Sequence, residues 1–206
     1  MRKTRLQASM AALACAAVLS ACAATRTAVP IIGPDATATA DASQGAPSED
    51  EIDLYDRITE YRREHRLPPV PLSRSLTHIA RLHAADLGRN GFGASCNIHS
   101  WSKQGPWRAC CYRPDHSDPS CMWNKPRELT TYKGLGFEVA YWTSAVARPA
   151  TVLAVWKKST THDEVLLERG RWRGQSWKAI GVAVAGKYAV LWFGTEDDPA
   201  GYWRKQ

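Results

Sequence analysis

The stretch that decides the fold is AIGVAVAGKYAVLWFG, residues 179–194 of the 206-residue chain. Large apolar side chains occupy every second position in both of its halves: Ile180, Val182 and Val184, then Tyr188, Val190 and Trp192. A period of two is typical of a β-strand, and a short break containing glycine between two such runs indicates a β-hairpin. We therefore expect the chain to end in two paired antiparallel strands.

Helical spacing dominates the part of the sequence that precedes this hairpin. Ser48 followed by Glu51 is a capping-box pattern, and apolar residues recur after it at helical intervals up to Tyr61. A second helix is predicted to start between Ser73 and Ser75 and to stop at Gly91 or Gly93, with one face formed by Leu76, Ile79, Ala80, His83 and Leu87. Because the predicted helices come first along the chain and the paired strands come last, the sequence favours the α+β class with an antiparallel sheet.

Three shorter helices are predicted between the second helix and the hairpin. Residues 126–129 form one turn, and Pro149 suits the first turn of a helix that carries Val152, Leu153 and Trp156. Thr161 and Glu164 form a second capping box. In that helix His162 takes the first position and shares an inward face with Val165 and Leu166.

The first 22 residues have the pattern of an export signal. Arg2, Lys3 and Arg5 precede an Ala/Leu/Val run, which is followed by a site of small residues. The end of this segment, Leu-Ser-Ala-Cys, resembles a bacterial lipobox, which implies that Cys22 carries the lipid (palmitate) anchor and that the lipoprotein reaches the outer membrane, facing the periplasm or the cell surface. Residues 23–48 are rich in Ala, Thr, Pro and Ser and predict a flexible tether with a reach of about 28 Å.

Removal of the signal changes the charge and the cysteine count. The formal charge of +7 falls by three to +4, and no dense Lys/Arg run remains, so a nucleic-acid partner is not expected. Four cysteines remain, Cys96, Cys110, Cys111 and Cys121, and an even number in an exported domain indicates two disulfides. A bridge between the adjacent Cys110 and Cys111 is strained, which leaves two possible pairings. These staple a long loop over residues 94–126, with a short strand predicted at 97–101.

Five pieces of the sequence, in order, resemble the CAP superfamily, whose members are also called SCP domains. They are YDRITEYRREHRLPPVPLSRSLTHIARLHAADLGRNG, CNIHSW, GFEVAYW, VWKKSTTHDEVLL and AIGVAVAGKYAVLWFG. The resemblance covers residues 50–195 and implies a CAP/SCP-like domain at 49–206. It also implies an α-β-α sandwich with a small antiparallel sheet, a cleft and, in many members, a tetrad of two His and two Glu.

The resemblance places His99 and His162 in the cleft, whereas the carboxylates depart from the family pattern. Where the family has Gly-Glu-Asn, this chain has Gly136-Phe137-Glu138, so that the carboxylate is displaced by one residue. On a helix such a shift rotates the side chain by about 100°. Residues 139–161 contain no Asp or Glu, so a second carboxylate is missing.

These residues support a binding site more readily than a catalytic one. Two imidazoles could hold a weakly bound Zn or other divalent metal, but metal-assisted hydrolysis also needs an open ligand position and a base. We expect a non-enzymatic cell-envelope binding module whose cleft contains His99, Glu138 and His162 and accepts a lipid, a glycan or an envelope protein. The alternatives are a metal-dependent hydrolase using the same residues and a structural lipoprotein with a vestigial cleft.

Three further features allow more than one interpretation. His83 faces the core of the second helix, and we expect a structural role for it. Asp115, His116 and Asp118 could join Cys96 and His99 in a zinc site, although export favours disulfides over thiolate ligands. Four tryptophans in or near the irregular half either pack beneath the loop or line a cleft for an apolar or glycan ligand: Trp101, Trp107, Trp123 and Trp142.

Overall fold

The computed structural model describes residues 45–204. The predicted signal segment, its lipidation at Cys22 and the tether as far as residue 44 lie outside this range. The helices are α1 Glu49–Glu64, α2 Arg74–Asn90, α3 Ser120–Trp123, α4 Lys125–Leu129, α5 Pro149–Lys158 and α6 Thr160–Leu166, and a 3₁₀ turn spans Gly170–Trp172. The strands are β1 Leu72–Ser73, β2 Gly136–Trp142, β3 Ala179–Ala185, β4 Tyr188–Gly194 and β5 Tyr202–Arg204. Within residues 45–204 no helix is both long and apolar enough to cross a bilayer.

The five strands form one sheet in the order β2-β4-β3-β1-β5. Strands β3 and β4 are the predicted hairpin, paired from Ala179 opposite Gly194 to Ala185 opposite Tyr188. Strand β2 adds to the other side of β4 along its full length and forms one edge of the sheet. Neighbouring strands are antiparallel except β1 and β3, which are parallel at Leu72 and Ile180. The predicted α+β class is confirmed.

Helices cover both faces of the sheet, because successive side chains of a strand point to opposite sides. Helices α1, α5 and α6 bury their apolar faces with Ile180, Val182 and Leu191 on one side. Helix α2 and the disulfide-bonded segment pack with Ala183, Val190 and Trp192 on the other. The result is the predicted three-layer α-β-α sandwich.

Of the two predicted capping boxes, the one at α1 is present and the one at α6 is not. At α1 the Ser48 hydroxyl accepts a hydrogen bond from the Glu51 amide (3.2 Å), and the Glu51 carboxylate accepts one from the Ser48 amide (2.7 Å). The prediction at Thr161 is wrong, because α6 begins at Thr160 after an extended Ser159 and has no side-chain cap. The carbonyl of Ser159 already accepts the amide of Asp163 (2.8 Å). His162 is therefore the third residue of α6 rather than the first.

The cysteine segment is stapled as predicted, by bridges Cys96–Cys111 and Cys110–Cys121. Each closed loop of this kind stabilises a small domain by about 2–4 kcal/mol. The strand predicted at 97–101 is wrong, because only Trp101 forms a β-bridge, with Cys110. The Asn97 carbonyl and side-chain oxygen accept the amides of Ser100 (3.1 Å) and His99 (3.0 Å), which closes a turn in place of a strand.

Helix α2 lies close against the sheet because β3 has a glycine beneath it. A Cβ built on Gly181 would lie 2.1 Å from the carbonyl carbon of Leu76, a backbone atom that cannot rotate away. The same helix contains Gly88, where a Cβ would meet no atom within 4 Å. The two glycines therefore provide a matched pair for testing the packing of α2.

We expect Gly181→Ala to lower the free energy of unfolding by about 3 kcal/mol, since overpacking forces α2 away from β3. Gly88→Ala should instead stabilise the protein by about 0.5–1 kcal/mol, because alanine is the better helix former at an unobstructed site. Urea unfolding followed by circular dichroism measures both values. Equal stability of the two variants would show that α2 does not depend on Gly181.

Candidate functional site

Glu138 lies on β2 and faces the α2 layer. It pairs with Trp192 across the sheet, and Trp192 is part of the cluster that packs on α2. Phe137 points to the opposite face, where its ring contacts those of Trp172 and Trp177. The helical geometry assumed for this segment is wrong: on a strand, a displacement of one residue reverses the face of the sheet. The displacement thus brings the carboxylate beneath α2.

Each carboxylate oxygen of Glu138 bonds a different histidine. Oε2 lies 2.8 Å from Nδ1 of His83, and Oε1 lies 2.9 Å from Nδ1 of His99. The side chains of His83 and Glu138 are inaccessible to solvent, whereas His99 is 15% exposed. A buried carboxylate is tolerated when hydrogen bonds and opposite charge compensate its lost hydration. The three side chains form a chain that runs from the core to the surface.

His83 has a second partner that defines its protonation. Its Nε2 lies 3.0 Å from the carbonyl oxygen of Ser100, which can only accept a hydrogen bond. Burial opposes a charge on both groups, but the attraction of Glu138 raises the pKa of His83, and the imidazoles lower the pKa of Glu138. With Glu138 ionised, both nitrogens of His83 donate, so this ring is an imidazolium. It stacks on Trp101 with ring centroids 4.5 Å apart, a cation–π contact.

Backbone and side-chain bonds fix the loop that carries His99. The amide of Asn97 donates to the carbonyl of Tyr112 (2.8 Å), and the hydroxyl of Ser100 accepts from the amide of Tyr112 (2.9 Å). Beyond Trp101, the buried Asp86 of α2 accepts from the amide (2.8 Å) and the hydroxyl (2.6 Å) of Ser102. These contacts join the loop to its disulfide-bonded partner segment and to α2, so that His99 is held on both sides.

The bond to Glu138 orients the ring of His99. Nδ1 donates to the carboxylate, which leaves Nε2 as the nitrogen available to a ligand. A carboxylate behind an imidazole fixes the tautomer and the orientation of the ring. His99 therefore offers a single oriented imidazole nitrogen at the end of a buried charged pair.

His162 lies on α6, in the opposite helical layer, and is half-buried. Its Nδ1 is buried and has no hydrogen-bond partner within residues 45–204. Burial lowers the pKa of His162 to about 4, and the nearby positive form of His99 contributes in the same direction. His162 is therefore a neutral imidazole near His99 with an unsatisfied buried nitrogen.

The arrangement includes one residue to which the sequence assigned only a structural role. His83 is indeed buried in the core of α2, and it is also the main charge partner of Glu138. A titratable side chain on an otherwise apolar helix face is a signal, since such groups are buried only with a partner. The partner could not be identified in advance, because the pairing depends on how α2 crosses β2.

The residues present do not fit a catalytic zinc centre. Such centres use three protein ligands and an open position. In the described part of the chain no group of three His, Cys, Asp or Glu side chains is placed to hold a metal. Both oxygens of Glu138 are already bonded to imidazoles. Weak binding of a divalent metal by His99 and His162 alone stays a prediction.

The alternative prediction of a zinc site in the stapled loop is wrong. Cys96 is bonded to Cys111 and Cys110 to Cys121, so none of these cysteines presents a thiolate. His116 instead contacts the hydroxyl of Tyr112 through Nδ1 (3.1 Å).

The four tryptophans in question have different environments. Trp101 is 2% exposed and packs beneath the loop, whereas Trp142 is 52% exposed. Trp107 and Trp123 are half-buried, and each contacts another aromatic ring edge-on. A surface cavity of about 680 Å³ opens elsewhere, beside Arg74, His78 and Trp203. The packing interpretation is thus correct for Trp101, while Trp142 remains exposed.

No protein-family model matches the sequence, and a search of curated proteins finds no match. Solved structures do match. An extracellular protein containing an SCP domain from Bacillus anthracis superposes with a TM-score of 0.50 at 16% identity, over 71% of this chain and 40% of that one. A cysteine-rich secretory protein from Staphylococcus aureus gives 0.47 at 18% identity, over 73% and 41%. An outer surface protein from Borrelia burgdorferi gives 0.48 at 18% identity, over 71% and 92%.

The match spans less than half the length of the S. aureus and B. anthracis chains. At these identities the likeness is one of fold. The three layers, the order of the elements and the superposition on the SCP domain agree with one another. The described domain therefore has the fold of the SCP (CAP) domains.

Proposed function

We propose that the protein is an exported, lipid-anchored SCP-domain protein that binds a component of the cell envelope at His99 and His162 without chemical turnover. The observation that carries this proposal is the state of Glu138. Both of its oxygens are bonded to imidazoles at 2.8 and 2.9 Å and its side chain is inaccessible to solvent, so the carboxylate orients His99 and is not itself exposed to a substrate.

The hydrolase alternative lacks the remaining parts of a catalytic site. A base held by a carboxylate activates either a neighbouring hydroxyl or thiol, or a metal-bound water. In residues 45–204 the side chain of His99 has one hydrogen bond, to Glu138, and none from a Ser, Thr or Cys side chain. The group of three metal ligands is missing from the same range.

The chemistry of the two outer histidines defines the class of ligand. Nε2 of His99 and the neutral ring of His162 suit a partner with uncharged hydrogen-bonding groups, such as the hydroxyls of a glycan or the amides of an envelope peptide. The unpartnered Nδ1 of His162 supports this, because a buried polar atom without a partner is costly and gains from a ligand that supplies one.

Three features support a location outside the cytoplasm. Residues 1–22 have the pattern of an export signal, and this segment ends in a lipobox-like stretch at Cys22. Two disulfides are typical of an oxidising compartment. The structural neighbours are described as extracellular, secretory and outer-surface proteins.

Native mass spectrometry of the protein purified from its own envelope should show a retained ligand. We expect His99→Ala and His162→Ala to lose that ligand, because they remove the two nitrogens that face it. His65→Ala, at an exposed histidine on α1's C-terminal cap, should retain it. A wild-type protein without bound ligand, or loss that is equal in all three variants, would favour a structural lipoprotein with a vestigial cleft.

The neutral state of His162 predicts a dependence of stability on pH. The unfolded chain binds a proton at this residue near pH 6.5, whereas the folded protein does so only near pH 4. Stability is therefore lost as the pH falls between these values, by about 2–3 kcal/mol. In urea unfolding the free energy of the wild type should fall more steeply over this range than that of His162→Gln. Parallel curves would contradict a neutral His162.

Cys22→Ser tests the anchor. Without the lipidated thiol, we expect the exported protein to leave the membrane fraction and appear in the soluble fraction, as detected by immunoblot. His99→Ala should fractionate like the wild type, because it lies far along the chain from the anchor. Unchanged membrane fractionation of Cys22→Ser would refute lipidation at this site.

A further inference from the structure

The exposed apolar side chains of the domain are concentrated in one short segment. Four large apolar residues are strongly exposed within residues 45–204: Phe92, Trp142, Val146 and Val155. Three of them fall between positions 142 and 155. Trp142, at 52% exposure, ends β2, and Val146, at 61%, lies in the loop that joins β2 to α5. We call residues 142–148, together with the hairpin turn Gly186–Lys187, the apolar tip.

The apolar tip is an ordered part of the fold. The amide of Thr143 donates to the carbonyl of Lys187 (3.0 Å), and the amide of Ala147 donates to the carbonyl of Gly186 (2.8 Å). Trp142 itself is the last residue of β2 and pairs with Tyr188. The exposed side chains are therefore displayed by a backbone tied to the sheet, at little further cost in conformational entropy on binding.

The charged side chains of the apolar tip itself are positive. Arg148 and Lys187 are exposed on the loop and on the hairpin turn. The sequence has no Asp or Glu from residue 139 to residue 161. Tryptophan and aliphatic groups bordered by Lys and Arg are the composition that favours the interface of an anionic bilayer.

The apolar tip lies at the end of the domain where the N-terminal chain enters. Arg62 donates to the carbonyl of Pro68 (3.3 Å) and Tyr55 to that of Val70 (3.0 Å), so α1 runs opposite to the chain that leads into β1. Because β1 is parallel to β3, which ends at the hairpin turn, α1 begins at the end of the domain that carries this turn. The loop before α5 and the residues before α1 are thus at the same end. Residues 23–44, a span of 22 residues, connect this end to Cys22.

The acidic groups of α1 restrict the docking direction. Asp53, Asp56, Glu60 and Glu64 line the groove along the flank of α1 and α5. The first turn of α1, at the same end of the domain as the tip, adds Glu49 and Asp50. An anionic surface is attracted by Arg148 and Lys187 of the tip and repelled by the acidic groups of α1, so docking by the tip requires α1 to be turned away from the bilayer.

We propose that the apolar tip docks on a bilayer surface that carries anionic headgroups. Trp142 and Val146 insert at the interface, and Arg148 and Lys187 contact the headgroups. The inference rests on the proposed lipid anchor, which keeps the domain within reach of the surface and so raises the effective concentration of the tip. Docking gives the His99 site a fixed orientation relative to the membrane.

Hydrogen–deuterium exchange of the protein purified from its own envelope tests this proposal. The protein is compared in detergent, in vesicles containing phosphatidylglycerol and in vesicles of phosphatidylcholine alone. We expect peptides covering residues 142–148 and 186–188 to exchange several-fold more slowly in the anionic vesicles than in detergent. Peptides of α2 should not change.

Two variants separate the apolar and ionic contributions. Arg148→Gln with Lys187→Gln should weaken docking on anionic vesicles about 25-fold, since each basic residue near such a surface strengthens binding about fivefold. It should leave any protection by neutral vesicles unchanged. Trp142→Ser with Val146→Ser should abolish protection in both. Phe92→Ser, at an exposed apolar residue just after α2 and outside the tip, is the matched control and should behave like the wild type.

The outcomes distinguish docking from anchoring. If the protein is retained by the vesicles through its lipid while residues 142–148 exchange as in detergent, the docking proposal is overturned and the anchor stands. If Cys22→Ser fractionates like the wild type, the anchor fails, and exchange of the protein mixed with preformed anionic vesicles then decides the docking. Protection that survives the Trp142 and Val146 changes also overturns the proposal.

Discussion

The buried carboxylate of Glu138 connects three parts of the domain that are far apart in sequence. It is fixed on β2, it bonds His83 of α2, and it bonds His99 of the stapled loop. Breaking a buried pair of this kind typically costs about 3–5 kcal/mol, because the remaining charge is left without compensation. The position of α2 on the sheet and the position of the loop on α2 are therefore coupled through one side chain. Gly181 permits the close approach that this coupling requires.

The same constraint determines the electrostatics of the site. His83 is held as an imidazolium between the Glu138 carboxylate, the Ser100 carbonyl and the face of Trp101, so the buried pair is neutral overall. The pair therefore produces no net electrostatic field at the surface. Its effect at the surface is to orient the ring of His99, because Glu138 fixes one ring nitrogen and turns the other outward. The neutral His162 next to it adds a hydrogen-bonding group without adding charge.

Much of the architecture follows from local sequence patterns, whereas the site depends on how the elements cross. The period-two runs around Gly186 and the Ser48–Glu51 capping box each involve neighbours within a few residues, and both predictions are correct. The start of α6 was misplaced because the Thr161–Glu164 pattern competes with the extended Ser159 two residues before it. The partnership of His83 with Glu138 spans 55 residues and arises only where α2 crosses β2. No periodicity within either element contains that information.

The displaced carboxylate illustrates why secondary structure must be known before a motif can be compared. On a helix, a shift of one residue would have turned Glu138 part of the way out of the site. On β2 it exchanges Glu138 with Phe137 between the two faces of the sheet, so the aromatic ring joins one core and the carboxylate lies beneath α2. There each carboxylate oxygen accepts a hydrogen bond from one of the two imidazoles. A buried carboxylate bonded in this way fixes the positions of two imidazoles, one in the core and one at the surface, so the local alternation of the strand determines how His99 is presented.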